Sequence, residues 1–206
     1  MQSQLSKLKP EILDRIEKYT LCVIFAVFAY RMIMGYLESG SPVTLLYLFD
    51  QCIILGFILI RRATKDISRR IDDWIIGFAG TFLALLFGPA SGHALLPTLV
   101  IVALMLSGLV FHLSAKLILR RSFGVVAANR GVKKTGPYRW VRHPMYTGYM
   151  LSQLGLVLSG PTLNNVVIMA MCWALFIWRM IAEERVLGQD PAYANLPRFR
   201  LIPGVY

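Results

Sequence analysis

The chain has 206 residues, 56% of them hydrophobic, and a formal net charge of +11. Its mean hydropathy of +0.58, with the excess gathered into long runs, excludes an ordinary soluble domain, which is about 45–50% apolar. It reads as one polytopic membrane domain over 1–206.

Six apolar segments follow in chain order, at about 19–37, 43–60, 73–87, 95–119, 145–159 and 166–182. Most approach the ~20 residues that cross a bilayer as helix; the third and fifth are shorter and are expected to be tilted, extended by their flanks or buried in protein. The fold expected is therefore all-α, with about six transmembrane helices. No small-residue cleavage site follows the first run, which reads as a retained helix. Cys22, Cys52 and Cys172 each sit alone within an apolar run, so buried thiols are expected rather than disulfides or a metal site.

The connections ESGSP, GPASGHA and GPTLNN contain no Lys or Arg, whereas 21 of the 22 basic residues fall on the other side, Arg31 being the exception. By the positive-inside bias, that basic side and both termini face the cytoplasm. The charge is then accounted for by topology and anionic lipid, not nucleic acid. The three short connections predict antiparallel hairpins of helices 1–2, 3–4 and 5–6. Arg31 and Asp50 lie within the bilayer, where an ionised group costs at least ~2.5–3.5 kcal/mol, so they are expected to pair across the first hairpin. His112 reads as a hydrogen-bonded helix–helix contact, and His93 has no assigned role.

Chemistry concentrates at the basic face. GPYRWVRHPMYTG at 136–148 opens helix 5, and RMIAEER at 179–185 closes helix 6. Pro144 suits the first helical position, and the free N–H groups beyond it, beside Arg139 and Arg142, suit a carboxylate. Glu183 and Glu184 oppose the dipole at a helix C-terminus, so local stability does not ask for them. Being about 100° apart around the helix, one can face the bundle while the other meets Arg179, Arg185 or the loop. A helix 5–6 hairpin makes the two clusters neighbours. The tail, with Tyr193, Arg198, Arg200 and Pro203-Gly204, is expected to fold back over them as a lid.

Over residues 131–206 the chain resembles the isoprenylcysteine carboxyl methyltransferase family and the related membrane phospholipid methyltransferases. The likeness is carried by GPYRWVRHPMYTG, the acid pair at 183–184, Tyr193 and the closing RLIPGVY. It implies S-adenosylmethionine bound at the cytoplasmic face by the basic loop, the C-terminal hairpin and the tail (120–206), with 1–119 as scaffold and acceptor wall. It also implies a lipophilic methyl acceptor, a lipid or prenylated molecule, arriving from the bilayer. Thr135, Gly136, Pro137, Tyr138, His143, Pro144, Tyr146, Gly148, Glu183 and Glu184 would contribute to the cofactor pocket. Arg142 and Arg179 would orient the acceptor, and with Glu184 they form the candidate catalytic set.

The residue types suit methyl transfer, an in-line displacement that needs donor and nucleophile aligned with water excluded. Aromatic faces such as Tyr138, Tyr146 or Trp178 tolerate a sulfonium. Carboxylate O-methylation needs no general base and is favoured; amine N-methylation, with His143 or a Glu taking the proton, is the alternative. No metal and no nucleic acid are expected. A route for the acceptor beside helix 4, near Ser107 and Gly108, is also expected. The rival enzyme is an NADPH-dependent membrane reductase of the sterol-reductase type, which shares an RHP-x-Y element. A transporter or scaffold is less favoured, since transport normally needs polar or broken helices near the midplane.

Overall fold

A computed structural model describes residues 10–60, 70–89, 93–119, 133–188, 191, 193, 197 and 199–202. Among the described residues six α-helices follow in order: α1 (Pro10–Ser39), α2 (Pro42–Ile60), α3 (Ile71–Ala84), α4 (Thr98–Leu119), α5 (Pro144–Ser159) and α6 (Leu163–Leu187). A short 3-10 turn, Gly136–Arg139, precedes α5, and there is no strand among the described residues. Most of the basic loop after α4, along with Arg198, Pro203 and Gly204 of the tail, lies outside the described residues.

Among the described residues four helical stretches are long and apolar enough to cross a membrane: Lys18–Ser39, Pro42–Ile60, Thr98–Leu119 and Leu163–Leu187. With 14 and 16 residues, α3 and α5 fall short of the ~20 required. Protein neighbours explain why α5 is viable at that length. Both of its faces are occupied: Gly148, Ser152 and Gly155 turn toward α4, while Tyr146, Tyr149 and Phe176 of α6 stack together.

The closest packing joins α4 to α5. A Cβ on Gly108 would lie 2.7 Å from the Gly148 carbonyl oxygen, and one on Gly148 would lie 2.6 Å from the Gly108 carbonyl oxygen. One α5 heptad onward, a Cβ on Gly155 would meet Met105 at 2.3 Å. Small residues thus let two backbones touch, which is how helices associate where lipid gives no hydrophobic drive. The pair is antiparallel, since the Leu95 N–H donates to the Leu158 carbonyl at 2.9 Å.

The α1–α2 hairpin forms as the sequence predicts, turning at Gly40 with φ +64°. The α3–α4 pairing does not form as expected: α3 packs chiefly on α6. Two polar clasps hold it there. At the basic end Arg185 donates to Asp73 at 2.7 Å. At the opposite end the Asn165 side chain accepts from the Gly88 N–H at 2.9 Å and donates to the Gly88 carbonyl. A short connection fixes only how far apart two helix ends can be, and these clasps outcompete sequence adjacency.

The expected Arg31–Asp50 pair is also corrected. Arg31 is exposed and donates to the Leu85 carbonyl at 3.4 Å. Asp50, buried in α2, instead meets His112 of α4, while its second oxygen accepts from Gln51 at 3.1 Å. His112 Nδ1 in turn lies 2.8 Å from Lys116 Nζ, whose ammonium stands 4.7 Å over the Tyr149 ring. His112 is thus the interhelical contact the sequence implied, with a different partner for the aspartate.

Gly148→Val is expected to destabilise the fold by about 1–3 kcal/mol through overpacking. Gly56→Ala, which has open space around its Cβ, should leave the melting temperature in detergent unchanged. His112→Leu is expected to cost about 3–5 kcal/mol by leaving Asp50 buried without this partner. Adding Asp50→Leu to it should recover part of that loss in the same melting assay.

Candidate active site

The basic ends of α5 and α6 meet as the sequence predicts. Gly136 opens the approach with φ +58°. A side chain there would be strained in this left-handed region, and its Cβ would lie 2.2 Å from Ile118 of α4. The turn therefore lies flat on α4 and buries Pro137 and Tyr138, leaving Thr135, Arg139 and Trp140 exposed. Burial, with Glu183 and Tyr149 nearby, pushes the Tyr138 phenol well above its ordinary value. It therefore stays neutral at physiological pH.

Pro144 starts α5 with His143 as the residue before it. From that corner, His143 bridges the two acids of α6. Its Nε2 lies 3.2 Å from Glu184 Oε1 and its Nδ1 lies 3.7 Å from Glu183 Oε2. The acids diverge as a 100° step requires. Glu183 turns into the bundle and accepts from the Tyr146 hydroxyl. Glu184 turns to the tail, where Arg200 donates to both of its oxygens at 2.9–3.1 Å.

The tail docks through its backbone as well. The Arg142 and His143 N–H groups each donate at 2.9 Å, to the Phe199 and Arg200 carbonyls. Thr147 Oγ1 donates to the Leu201 carbonyl, also at 2.9 Å. The described part of the tail thus covers the start of α5, in keeping with the lid expected from the sequence. It also takes up donors that the sequence assigned to an incoming carboxylate. Arg142 belongs to this clamp: its Nε donates to the Pro197 carbonyl at 2.6 Å, and its guanidinium lies 5.3 Å from the Tyr193 ring. Burial pushes the Tyr193 phenol up to about 12, aided by Glu184 nearby.

Arg179 has a different setting. It is buried, its guanidinium sits 5.4 Å over the Tyr146 ring, and its stem packs against Gly80 of α3. It lines a narrow cleft bounded by α1, α2, α3, α5 and α6. The walls include Phe25, Ile54, Ala84 and Phe176, and Tyr146 joins the cleft to Glu183. A second apolar space is a groove on the outside of α4, bordered by Ser107, Val110, Pro137 and Trp140. Gly108, expected with Ser107 beside an acceptor route, faces α5, and Gly148 stands against α4 and His112. Trp178 lies exposed on α6.

Residues 98–190 match the phospholipid methyltransferase family, which belongs to the same group as the isoprenylcysteine carboxyl methyltransferases. Comparison with curated proteins finds no match. The matched span starts with α4 and takes in the 3-10 turn, α5 and α6, so the Gly–Gly packing and the His143–Glu183–Glu184 cluster both fall within it. Together with the apolar helices, the match supports a membrane methyltransferase acting on lipid.

The sequence reading named Arg200 only as part of the tail and missed it as the bidentate partner of Glu184. It assigned no role to Gln51 or Gln153, which line the cleft. A signal for Arg200 was available: Glu184 at a helix C-terminus needs a cation, and the tail is the nearest segment rich in arginine. Arg200→Ala is expected to release the tail and speed its proteolysis at least several-fold, while helix content by circular dichroism stays unchanged.

Proposed function

We propose that the chain is an S-adenosylmethionine-dependent methyltransferase whose acceptor is a lipid-like or prenylated molecule. The carrying observation is the junction at Tyr146, which lines the apolar cleft and also donates to Glu183 of the polar cluster. A water-soluble donor and a bilayer-soluble acceptor need such a meeting of polar and apolar space.

The residues present fit the donor. Glu183 is a carboxylate with part of its surface open, suited to ribose hydroxyls or an ammonium. Tyr138 and Tyr146 present neutral aromatic rings beside it, and such rings attract a sulfonium. Glu184, with Arg200 and Arg142, holds the tail over these groups and keeps water from them. When bound, S-adenosylmethionine supplies an electrophilic methyl. His143 keeps both acids in register, and Arg179 at the basic end of the cleft orients the acceptor. A carboxylate acceptor pairs with that arginine and needs no base, so O-methylation is favoured. An amine must first lose its proton, for which His143 is placed. The one-sided distribution of basic residues supports a cytoplasmic face for this site and both termini.

The family match gives no support to the reductase alternative. Thermal shift of detergent-purified protein discriminates the two, since a ligand that binds only the folded state raises its melting temperature. S-adenosylmethionine is expected to stabilise and NADPH to have no effect; the reverse result would overturn the reading. Glu184→Gln is expected to weaken S-adenosylmethionine binding about tenfold, which is about 1.4 kcal/mol, with a smaller change in the melting point of the ligand-free protein. Unchanged affinity in titration calorimetry would remove Glu184 from the site.

A further inference from the structure

The cleft contains a polar station that the transfer chemistry does not use. Gln153 of α5 is 2% exposed, lines the cleft, and its Oε1 has no hydrogen-bond partner among the described residues. Leaving a buried amide oxygen unmet costs about 1–3 kcal/mol, and the cleft walls include the apolar Phe25, Ile54 and Phe176. Gln51 of α2 is 5% exposed and lines the same cleft. Its amide is oriented from behind: Nε2 donates to Asp50 Oδ2, and the other Asp50 oxygen is held by His112. Its carbonyl is therefore the end left for the cleft. The buried Asp50–His112–Lys116 chain thus acts as a positioning device for Gln51.

The depth of this station is informative. Gln153 lies seven residues, or about 10 Å of helix, beyond Tyr146, where the cleft meets Glu183. A group bound there cannot be the reacting atom.

We propose that Gln51 and Gln153 bind an uncharged hydroxyl or secondary amide that the acceptor carries about 10 Å from its methylated atom. The proposal rests on the acceptor site of the preceding reading and specifies the class of molecule it takes. Charge is disfavoured because both station residues are neutral and the nearest carboxylate, Asp50, is already engaged. A charge there would be desolvated without a counter-ion. A hydroxyl or secondary amide has one hydrogen, which meets the unpartnered Gln153 Oε1, and a lone pair left to accept from an amide N–H of the station. An ester or ketone only accepts and leaves Gln153 Oε1 unmet. Plain hydrocarbon leaves both amides unmet.

Three fatty acids of equal length test this: 10-hydroxystearate, 10-oxostearate and stearate, titrated into the full detergent-purified chain by calorimetry. The hydroxy acid is expected to bind about tenfold more tightly than the other two, in line with one additional buried hydrogen bond. Gln153→Met, similar in volume but lacking the amide, should remove that preference. Should Gln153→Met not fold, Gln153→Asn, which withdraws the amide by one methylene, should also lose it. Equal binding of the three acids to the unmodified chain, or a preference that survives loss of the Gln153 amide, would overturn the proposal. S-adenosylmethionine binding by the same preparation separates the two claims. Its failure alongside an intact hydroxyl preference sinks the methyl-transfer reading and keeps the station. Its success without any preference sinks the station alone.

Discussion

Backbone contact between Gly108 and Gly148 is the constraint on which most of the architecture rests. At that crossing, a Cβ on Gly148 would also come within 2.7 Å of the His112 backbone nitrogen. The same close approach therefore sets the depth of His112, which must reach Asp50, and the height of α5, which must present His143 and Tyr146 to Glu183. A bulkier residue would move both together. The phospholipid methyltransferase match begins at α4 rather than α5. That boundary has a physical rationale, because α5 has no fixed position without its glycine partner.

From this fixed α5, the site is organised by two adjacent glutamates doing different work. Glu183 is held by a hydroxyl and a histidine inside the bundle, whereas Glu184 is saturated by guanidinium and imidazole at the surface. Two acids in one place repel, and their opposite engagements keep the two carboxylates apart. His143 touches both, so its ring couples the position of the tail to the interior carboxylate. A loosened tail would change what Glu183 faces without any direct contact between them.

Much of the architecture was legible in the sequence because apolar run length and charge-poor connections report directly on helices. The expected segment at 95–119 is realised as Thr98–Leu119, and that at 145–159 as Pro144–Ser159. The divergence of Glu183 and Glu184 was legible too, from helix geometry alone. Pairings between non-consecutive elements were not. Asp50 lies close to Arg31 along the hairpin, but side-chain direction decided for His112, 62 residues away. Likewise α3 chose α6 through Asp73, Gly80 and Asn165, residues whose importance appears only when α6 is alongside. The cleft amides were illegible for a related reason: a glutamine in an apolar run carries no period or spacing, and only an unmet oxygen marks it.

The polarity of the cleft is graded along its length, and this bears on the acceptor. Arg179 stands at the basic end, neutral amides follow about 10 Å deeper by helical rise, and Phe25 and Ile54 complete an apolar wall. A small soluble substrate would gain nothing from the amides or the wall. A uniformly apolar chain would bury the amides at a cost. An amphiphile with an anionic or ionisable reacting end and one uncharged polar group partway along its chain meets each surface with its complement. On the proposed reading, binding energy collected at the remote station would hold the reacting end in line beside Tyr146. A molecule lacking the mid-chain group would still enter the cleft but would slide along it. The loss would then appear in turnover as well as in affinity, because methyl transfer depends on the register between nucleophile and donor.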